Sequence, residues 1–238
     1  MSTIQRTPLV KLHYFAGRGR AETTRWMMAA CQIEFKNAAL RTPNDLAALR
    51  ATGKLPFDQL PLLEIDGHCI SQSTALIRYL ARRHNLYGDN HDDAMWCDMV
   101  AGTVADFAEP AMQAAFQPSH EVAWAAMQAR LDKFGPRFEA RLQQVGSGFA
   151  VGSRLSFADV VLGSALTDYQ EQAPDCLETY PLLAKFQTRI TTLPGVARYL
   201  DSPERYPTPG DDYVISAARV LRRALPAHMP EPGRFVIS

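Results

Sequence analysis

The feature that most constrains the fold is a change in residue pattern about a third of the way along the chain. Over residues 8–85, segments rich in β-branched and aromatic residues alternate with segments of helical spacing. From Ala94 onward nearly every segment has helical spacing, and strand signals almost vanish. We therefore predict two domains, an α/β domain over residues 1–85 and an all-helical domain over residues 86–238.

The order of elements in the first domain is strand, helix, strand, and then strand, strand, helix. "LVKLHYF" and "IEFKNA" are strand-like and flank the helix former "AETTRWMMAA", and a helical piece around "PNDLAALR" follows. "PLLEI" and "HCI" are joined by Asp66-Gly67, a pair suited to a hairpin turn, and "STALIRYLARR" predicts a helix with Ser73 as its N-cap. This βαβ-ββα order is thioredoxin-like, but a Cys-x-x-Cys motif is missing and the first strand ends on Tyr14.

Three local patterns organise the helical domain. Gly135-Pro136 predicts a break in its second long helix. Ser156, with Asp159 three residues later, is a close relative of the capping box and predicts a helix start. The last predicted helix has an apolar face formed by Val214, Ala218, Leu221 and Leu225. The tail after it, "PAHMPEPGRFVIS", contains prolines and a glycine and is predicted to be irregular.

Composition excludes several classes of protein. Basic and acidic residues are equal at 25 each, which disfavours a nucleic-acid-binding protein. The sequence contains no signal-peptide pattern and no apolar run of membrane-spanning length, so we expect a soluble cytoplasmic protein. The four cysteines lack metal-site spacing, so no metal is expected. "GRGRAE" is not a dinucleotide fingerprint, because Glu22 stands where the third glycine would be.

The thioredoxin-like domain predicts a pocket for a small anionic peptide. In this fold the end of the first strand, here Tyr14, faces the peptide between Leu60 and Pro61. A cis X-Pro bond in that place turns the preceding backbone groups outward, where they can pair with an extended peptide. Gln72 and Ser73 start the next helix, where free N–H groups and the helix dipole favour a carboxylate.

Four motifs carry a resemblance that covers almost the whole chain. "LHYFAGRGRAETTRW", "FDQLPLLEIDG", "SQSTALIRYLA" and "NLYG" resemble the glutathione S-transferase family, most closely its alpha class and next its sigma class. The resemblance implies a homodimeric enzyme that takes reduced glutathione as co-substrate, needs no other cofactor, and conjugates it to hydrophobic electrophiles. It also admits peroxide reduction or ketosteroid isomerisation as side activities.

The resemblance assigns roles near the glutathione sulfur. Tyr14 matches the tyrosine whose hydroxyl stabilises the thiolate, and Arg20 matches an arginine beside the sulfur. Arg18 has no such match, and we interpret it as a salt-bridge former.

Further matches concern the rest of glutathione and the dimer. Arg50 matches a contact to the glycine carboxylate, the segment Gln59, Leu60 and Pro61 pairs with the cysteinyl backbone, and Gln72 with Ser73 holds the γ-glutamyl carboxylate. Asp106 of the other subunit would approach the γ-glutamyl amine, and Phe57 would insert between helices of that subunit.

The second substrate is expected to bind by burial of apolar surface. The candidates for its pocket are Phe15, Gly17, Met112, Val214, Ala218 and Leu221. Two alternatives stay open at this point: a sigma-like prostaglandin isomerase, and a non-enzymatic ligand-binding or crystallin-like protein of the same fold.

Overall fold

The first domain is built around a four-stranded mixed sheet, seen in a computed structural model that describes residues 10–229. Its strands are β1 (Val10–Phe15), β2 (Phe35–Leu40), β3 (Leu62–Ile65) and β4 (His68–Ser71). The strand order is β2-β1-β3-β4, with β1 parallel to β2 and antiparallel to β3. Because β1 lies inside the sheet, the residue near its carboxyl end, Tyr14, is held in register opposite Ala39.

Three helices accompany the sheet, in the βαβ-ββα order that the sequence predicts. They are α1 (Glu22–Ala30), α2 (Pro43–Ala51) and α3 (Ser73–Arg83). The hairpin between β3 and β4 turns at Asp66 and Gly67, whose φ angles are 51° and 79°. This positive-φ pair confirms the predicted tight turn.

The start of α3 differs from the prediction by one residue. Gln72 is the N-cap, with φ 71°, and Ser73 is already the first helical residue. The reason is the length of the connection: β4 ends at Ser71, so Gln72 alone has to redirect the chain. It does so in a backbone conformation that non-glycine residues seldom adopt.

The helical domain contains α4 (His91–Gln113), α5 (His120–Val145), α6 (Phe157–Gln172), α7 (Pro181–Thr191), α8 (Pro194–Leu200) and α9 (Asp211–Leu221). The boundary predicted near residue 85 falls between α3 and α4. The division of the chain into two domains at that point stays a prediction. At the start of α6, Asp159 accepts hydrogen bonds from the backbone N–H and the hydroxyl of Ser156, at 2.7 Å each. The predicted capping interaction is therefore confirmed.

Two helix predictions are wrong. Gly135-Pro136 does not break α5, which runs through both residues. Leu131 before the pair and Phe138 after it are both buried, so the parts of α5 on either side of the pair pack against the core. This packing outweighs the loss of the hydrogen bond that proline cannot form.

At the other end of the domain, α9 stops at Leu221 because Arg222 turns into the left-handed region, so Leu225 lies outside the helix. The predicted irregular tail continues beyond residue 229, outside the described residues.

Helix α1 joins the two halves of the chain. It packs against α3 on one side and against α6 and α8 on the other. Trp26, Met27 and Met28 on α1 are fully buried, and the carboxylate of Glu22 accepts hydrogen bonds from the hydroxyl of Tyr199 on α8. None of the helices within residues 10–229 combines the length and apolar character that a membrane crossing requires.

Candidate active site

The hydroxyl of Tyr14 lies at the carboxyl end of β1, where a turn folds back over it. Tyr14 is buried, and its Oη accepts a hydrogen bond of 3.1 Å from the backbone N–H of Arg20. That hydrogen bond occupies one lone pair of the oxygen and leaves the phenolic hydrogen free to donate. The tyrosine is therefore oriented by the main chain of the turn.

The turn itself is made by the "GRGR" segment. Gly17 donates its N–H to the carbonyl of Phe15 at 2.8 Å, and Gly19 takes a φ of 41°. A short 3-10 turn over Gly19–Ala21 leads directly into α1. This geometry exposes the side chain of Arg20 while its backbone points at Tyr14.

Arg18 forms salt bridges, as the sequence analysis predicts. Its side chain is buried; the Nε–H donates to the carbonyl of Tyr206 at 2.7 Å, and the guanidinium pairs with Glu171 and, at 3.5 Å, with Asp168. Burial by itself would raise the pKa of Glu171, but the hydrogen bond and the charges of Arg18 and Arg205 outweigh it and lower that pKa. Arg18 thus ties the turn to α6 and to the segment before α9.

The predicted peptide-binding elements lie close to one another. The Leu60-Pro61 bond is cis, and the side-chain amide of Gln72 donates to that of Gln59. Ser73 and Arg20 line one cavity of about 190 Å³ between α1, α3, α4 and α6. Arg20 and Tyr14 also line a second cavity, so Arg20 lies where the two cavities meet.

Other predicted residues lie apart from these cavities. Arg50 is exposed and forms a two-point ion pair with Asp58, at 2.6 Å and 2.9 Å. Asp106 is exposed on α4. Neither Arg50 nor Asp106 is among the residues that line the two cavities. Phe57 is 69% exposed, the largest such value among the exposed large hydrophobic side chains of the described residues.

The cavity beside Tyr14 has a volume of about 510 Å³ and a mostly apolar wall. Five of the six predicted electrophile-pocket residues line it: Phe15, Met112, Val214, Ala218 and Leu221. Gly17 does not. The ring of Tyr213 covers it so closely that a Cβ on residue 17 would lie 2.1 Å from a ring carbon.

Sequence reasoning missed two aromatic residues of this cavity, Phe116 and Tyr213. Their rings meet edge to face, with centroids 6.2 Å apart. Tyr213 precedes Val214 in the first turn of α9, and its hydroxyl lies 3.5 Å from that of Tyr14. The signal that could have pointed to it is the pair of glycines beside Tyr14, since glycine often marks the close approach of another group.

Comparison with known proteins identifies the family. The family model described as "Glutathione S-transferase, N-terminal domain" matches residues 10–82, and that described as "Glutathione S-transferase, C-terminal domain" matches residues 105–203. Glutathione S-transferase alpha-3 of Rattus norvegicus is 39% identical over 215 residues, covering 88% of this chain and 97% of the relative. Glutathione S-transferase A3 of Mus musculus is 38% identical over a similar span.

Solved structures agree with this assignment. The glutathione S-transferase of Ascaris lumbricoides superimposes with a TM-score of 0.68 at 29% identity, covering 81% of this chain and 96% of that one. Monomeric Na-GST-3 of Necator americanus gives 0.71 at 24% identity, covering 82% and 97%, and at that identity supports the fold alone. The predicted α/β thioredoxin-like plus all-helical architecture is confirmed. The chain belongs to the glutathione S-transferase family, and its similarity to the rat and mouse proteins is to the alpha class.

Proposed function

We propose that the protein conjugates reduced glutathione to hydrophobic electrophiles. The observation that carries this proposal is the position of the Tyr14 hydroxyl, oriented by the Arg20 N–H at the edge of a largely apolar cavity of about 510 Å³. A donor in that position can hydrogen-bond a thiolate, and the cavity can hold an apolar molecule against it. The alpha-class relatives favour this function, and none of them supports the prostaglandin isomerase or crystallin-like alternative.

The chemical task of the site is to supply a thiolate at neutral pH. A free thiol has a pKa near 8.5, so only a few per cent is ionised at pH 7. A hydrogen bond from Tyr14 and the nearby charge of Arg20 stabilise the anion, and the thiol proton leaves to solvent. The sulfur electron pair then forms a carbon–sulfur bond. Either a leaving group departs with its bonding electrons, or the π bond of an activated double bond breaks and its electrons move to the adjacent electron-withdrawing group.

Three of the protein's four cysteines are poorly suited to this role. Burial raises the pKa of Cys31 to about 12 and, as the main cause in each, the pKa values of Cys97 and Cys176 to about 11. Such thiols carry almost no thiolate at neutral pH. These three thiols are therefore poor candidates for the reactive sulfur, which is consistent with a sulfur supplied by glutathione.

Glutathione would lie across the elements that the sequence analysis selected. The backbone of residue 60 would pair with the cysteinyl unit, and the start of α3 at Gln72 and Ser73 would receive the γ-glutamyl carboxylate. Arg50 has to change partner, since its guanidinium is held by Asp58. An exposed pair of this kind is weak, so a substrate carboxylate can replace Asp58 at little cost.

The replacement Tyr14→Phe tests the proposed mechanism. It keeps the ring and removes the donor, so we expect kcat/KM for a chlorodinitroaromatic at pH 7 to fall about tenfold or more, with a higher apparent thiol pKa. Tyr180→Phe is the control, because Tyr180 packs on Gly135 in the helical domain. Equal activity of the Tyr14 variant and the wild type would rule out this mechanism.

We also propose a homodimer. Phe57 is highly exposed, and Met95 and Met99, one turn apart on α4, are 49% and 50% exposed. Exposed apolar side chains on two elements are typical of a contact surface. Asp106 of one subunit would then approach the γ-glutamyl amine in the other.

The dimer is tested by light scattering at micromolar concentration. Phe57→Ser is expected to shift the protein toward monomer, because it removes the most exposed large apolar side chain. Val122→Ser changes another side chain, 46% exposed, at the start of α5 and is expected to leave the mass unchanged. A monomeric wild type would refute this proposal. The fold does not decide the question, since Na-GST-3 is described as monomeric.

A cytoplasmic location completes the proposal. The cytosol keeps glutathione and protein thiols reduced. An enzyme that consumes reduced glutathione and carries free cysteines fits that compartment.

A further inference from the structure

A second phenol lies beside the hydroxyl of Tyr14. Tyr213, in the first turn of α9, places its Oη 3.5 Å from the Tyr14 Oη, although the two residues are 199 positions apart in sequence. The distance is at the outer limit for a hydrogen bond between hydroxyls. Contacts of this kind often tighten when a substrate binds.

The turn leaves room for both phenols only because two of its residues are glycines. A Cβ on Gly19 would lie 2.4 Å from the Tyr213 hydroxyl and 2.6 Å from the Tyr14 hydroxyl. A Cβ on Gly17 would overlap the Tyr213 ring. The "GRG" segment thus forms a slot that seats Tyr213 against Tyr14.

The Tyr213 hydroxyl is suited to donate. Its burial, and then the neighbouring Tyr14, raise the pKa of Tyr213, so it keeps its proton throughout the neutral range. The Tyr14 oxygen accepts the Arg20 N–H and has a second lone pair. A donor on that lone pair would leave the Tyr14 hydrogen only one useful direction, outward toward the sulfur.

We propose that Tyr213 is a positioning residue for Tyr14: its hydroxyl donates to the Tyr14 oxygen, so that the Tyr14 hydrogen is directed at the glutathione sulfur. This inference rests on the proposed transferase function. Two donors on one phenolic oxygen polarise its O–H bond, which makes Tyr14 a stronger donor to the thiolate. Tyr213 would thereby lower the thiol pKa through Tyr14, without touching the sulfur.

The location of Tyr213 gives this role a further consequence. Arg18 holds the carbonyl of Tyr206, in the segment that leads into α9, and the same turn seats the Tyr213 ring on Gly17. Helix α9 also carries Val214, Ala218 and Leu221 of the electrophile cavity. Helix α9, which lines the cavity for the second substrate, would therefore also set the hydrogen-bond geometry at the sulfur.

A double-mutant cycle of Tyr213→Phe and Tyr14→Phe tests this proposal. Tyr213→Phe keeps the ring that packs on Gly17 and Phe116, so a purely structural role would leave the variant unaltered. We expect the pKa of bound glutathione to rise by about half a unit to one unit and kcat at pH 7 to fall about threefold to tenfold. At a pH that ionises the thiol in every variant, the rates should converge.

In the Tyr14→Phe background, Tyr213→Phe should shift the thiol pKa by less than about 0.3 units and change kcat by less than about twofold, because the acceptor is gone. Tyr180→Phe is the control and should match the wild type. The inference is overturned if Tyr213→Phe leaves the thiol pKa unchanged, if its effect is as large without the Tyr14 hydroxyl, or if only KM for the electrophile changes. In each of these cases a large effect of Tyr14→Phe would still support the proposed function. An unchanged rate for Tyr14→Phe would instead rule out the mechanism on which this inference rests.

Discussion

Arg18 and Arg20 stand two residues apart in one turn, yet their surroundings are opposite. The Arg18 guanidinium is buried and paired with Glu171 and Asp168, whereas the Arg20 side chain is exposed where two cavities meet. Arg18 faces the helical domain, whereas Arg20 faces the proposed substrate site. Residue type and local sequence are alike, so it is the packing around the turn that separates a stabilising role from a chemical one.

In Arg20, the backbone and the side chain have different roles. Arg20 orients Tyr14 through its backbone N–H, which any residue except proline would supply. Its exposed guanidinium is the part proposed to stabilise the charge at the sulfur. Substitutions at the two positions should therefore affect different measurements.

The largest effect is expected for the free energy of unfolding of Arg18→Ala. Removing this buried cation leaves Glu171 without its main partner and should cost about 3 kcal/mol. Urea unfolding at fixed protein concentration measures the loss. Arg50→Ala is the matched control, since its ion pair with Asp58 is exposed and should contribute little to stability. Equal losses for the two variants would contradict the buried-pair interpretation.

A pH series identifies the cause of that loss. Glu171 has a lowered pKa in the folded protein, so its stabilisation is present above the ordinary glutamate pKa, near 4.3, and is lost as the pH falls through the lowered value. Without Arg18 the Glu171 carboxyl would be easier to protonate, and protonation would remove the cost of its unpaired charge. The stability gap between Arg18→Ala and the wild type should therefore narrow as the pH falls below about 4.3.

A smaller effect, on activity, is expected for Arg20→Ala. Loss of the cation should raise the pKa of bound glutathione and lower kcat/KM about tenfold, which corresponds to about 1.4 kcal/mol. The free energy of unfolding should change by less than about 0.5 kcal/mol, as for other exposed positions. Arg20→Lys, which keeps the charge, should recover part of the activity. A variant that is destabilised and fully active would reverse the roles assigned to the two arginines.

The fold was largely predictable because its main signals are local. Strand alternation, the Asp66-Gly67 turn and the Ser156–Asp159 cap depend on residues close together in sequence. The predicted break at Gly135-Pro136 failed for the opposite reason. Continuity of α5 depends on packing against distant helices, which no local pattern records.

The site shows the same contrast between local sequence signals and long-range contacts. Tyr14, the cis Leu60-Pro61 peptide and the start of α3 lie in short motifs, so their positions could be predicted. Tyr213 reaches the site from 199 residues away, and the Arg50–Asp58 pair depends on side-chain conformation. The glycines at positions 17 and 19 indicate that another group approaches closely, but they do not identify Tyr213 as that group, and no sequence pattern indicates the Arg50–Asp58 pair.

Because Tyr213 packs against Gly17 and Gly19, the residues allowed at positions 17, 19 and 213 depend on one another. The three atoms nearest to a Cβ on Gly17 all belong to the Tyr213 ring, so a smaller residue at position 213 would open space for a side chain at position 17. Gly19 would gain no such freedom, because its φ of 41° and the Tyr14 hydroxyl at 2.6 Å restrict it independently. Libraries that reshape the electrophile pocket should therefore vary positions 17 and 213 together and leave position 19 fixed.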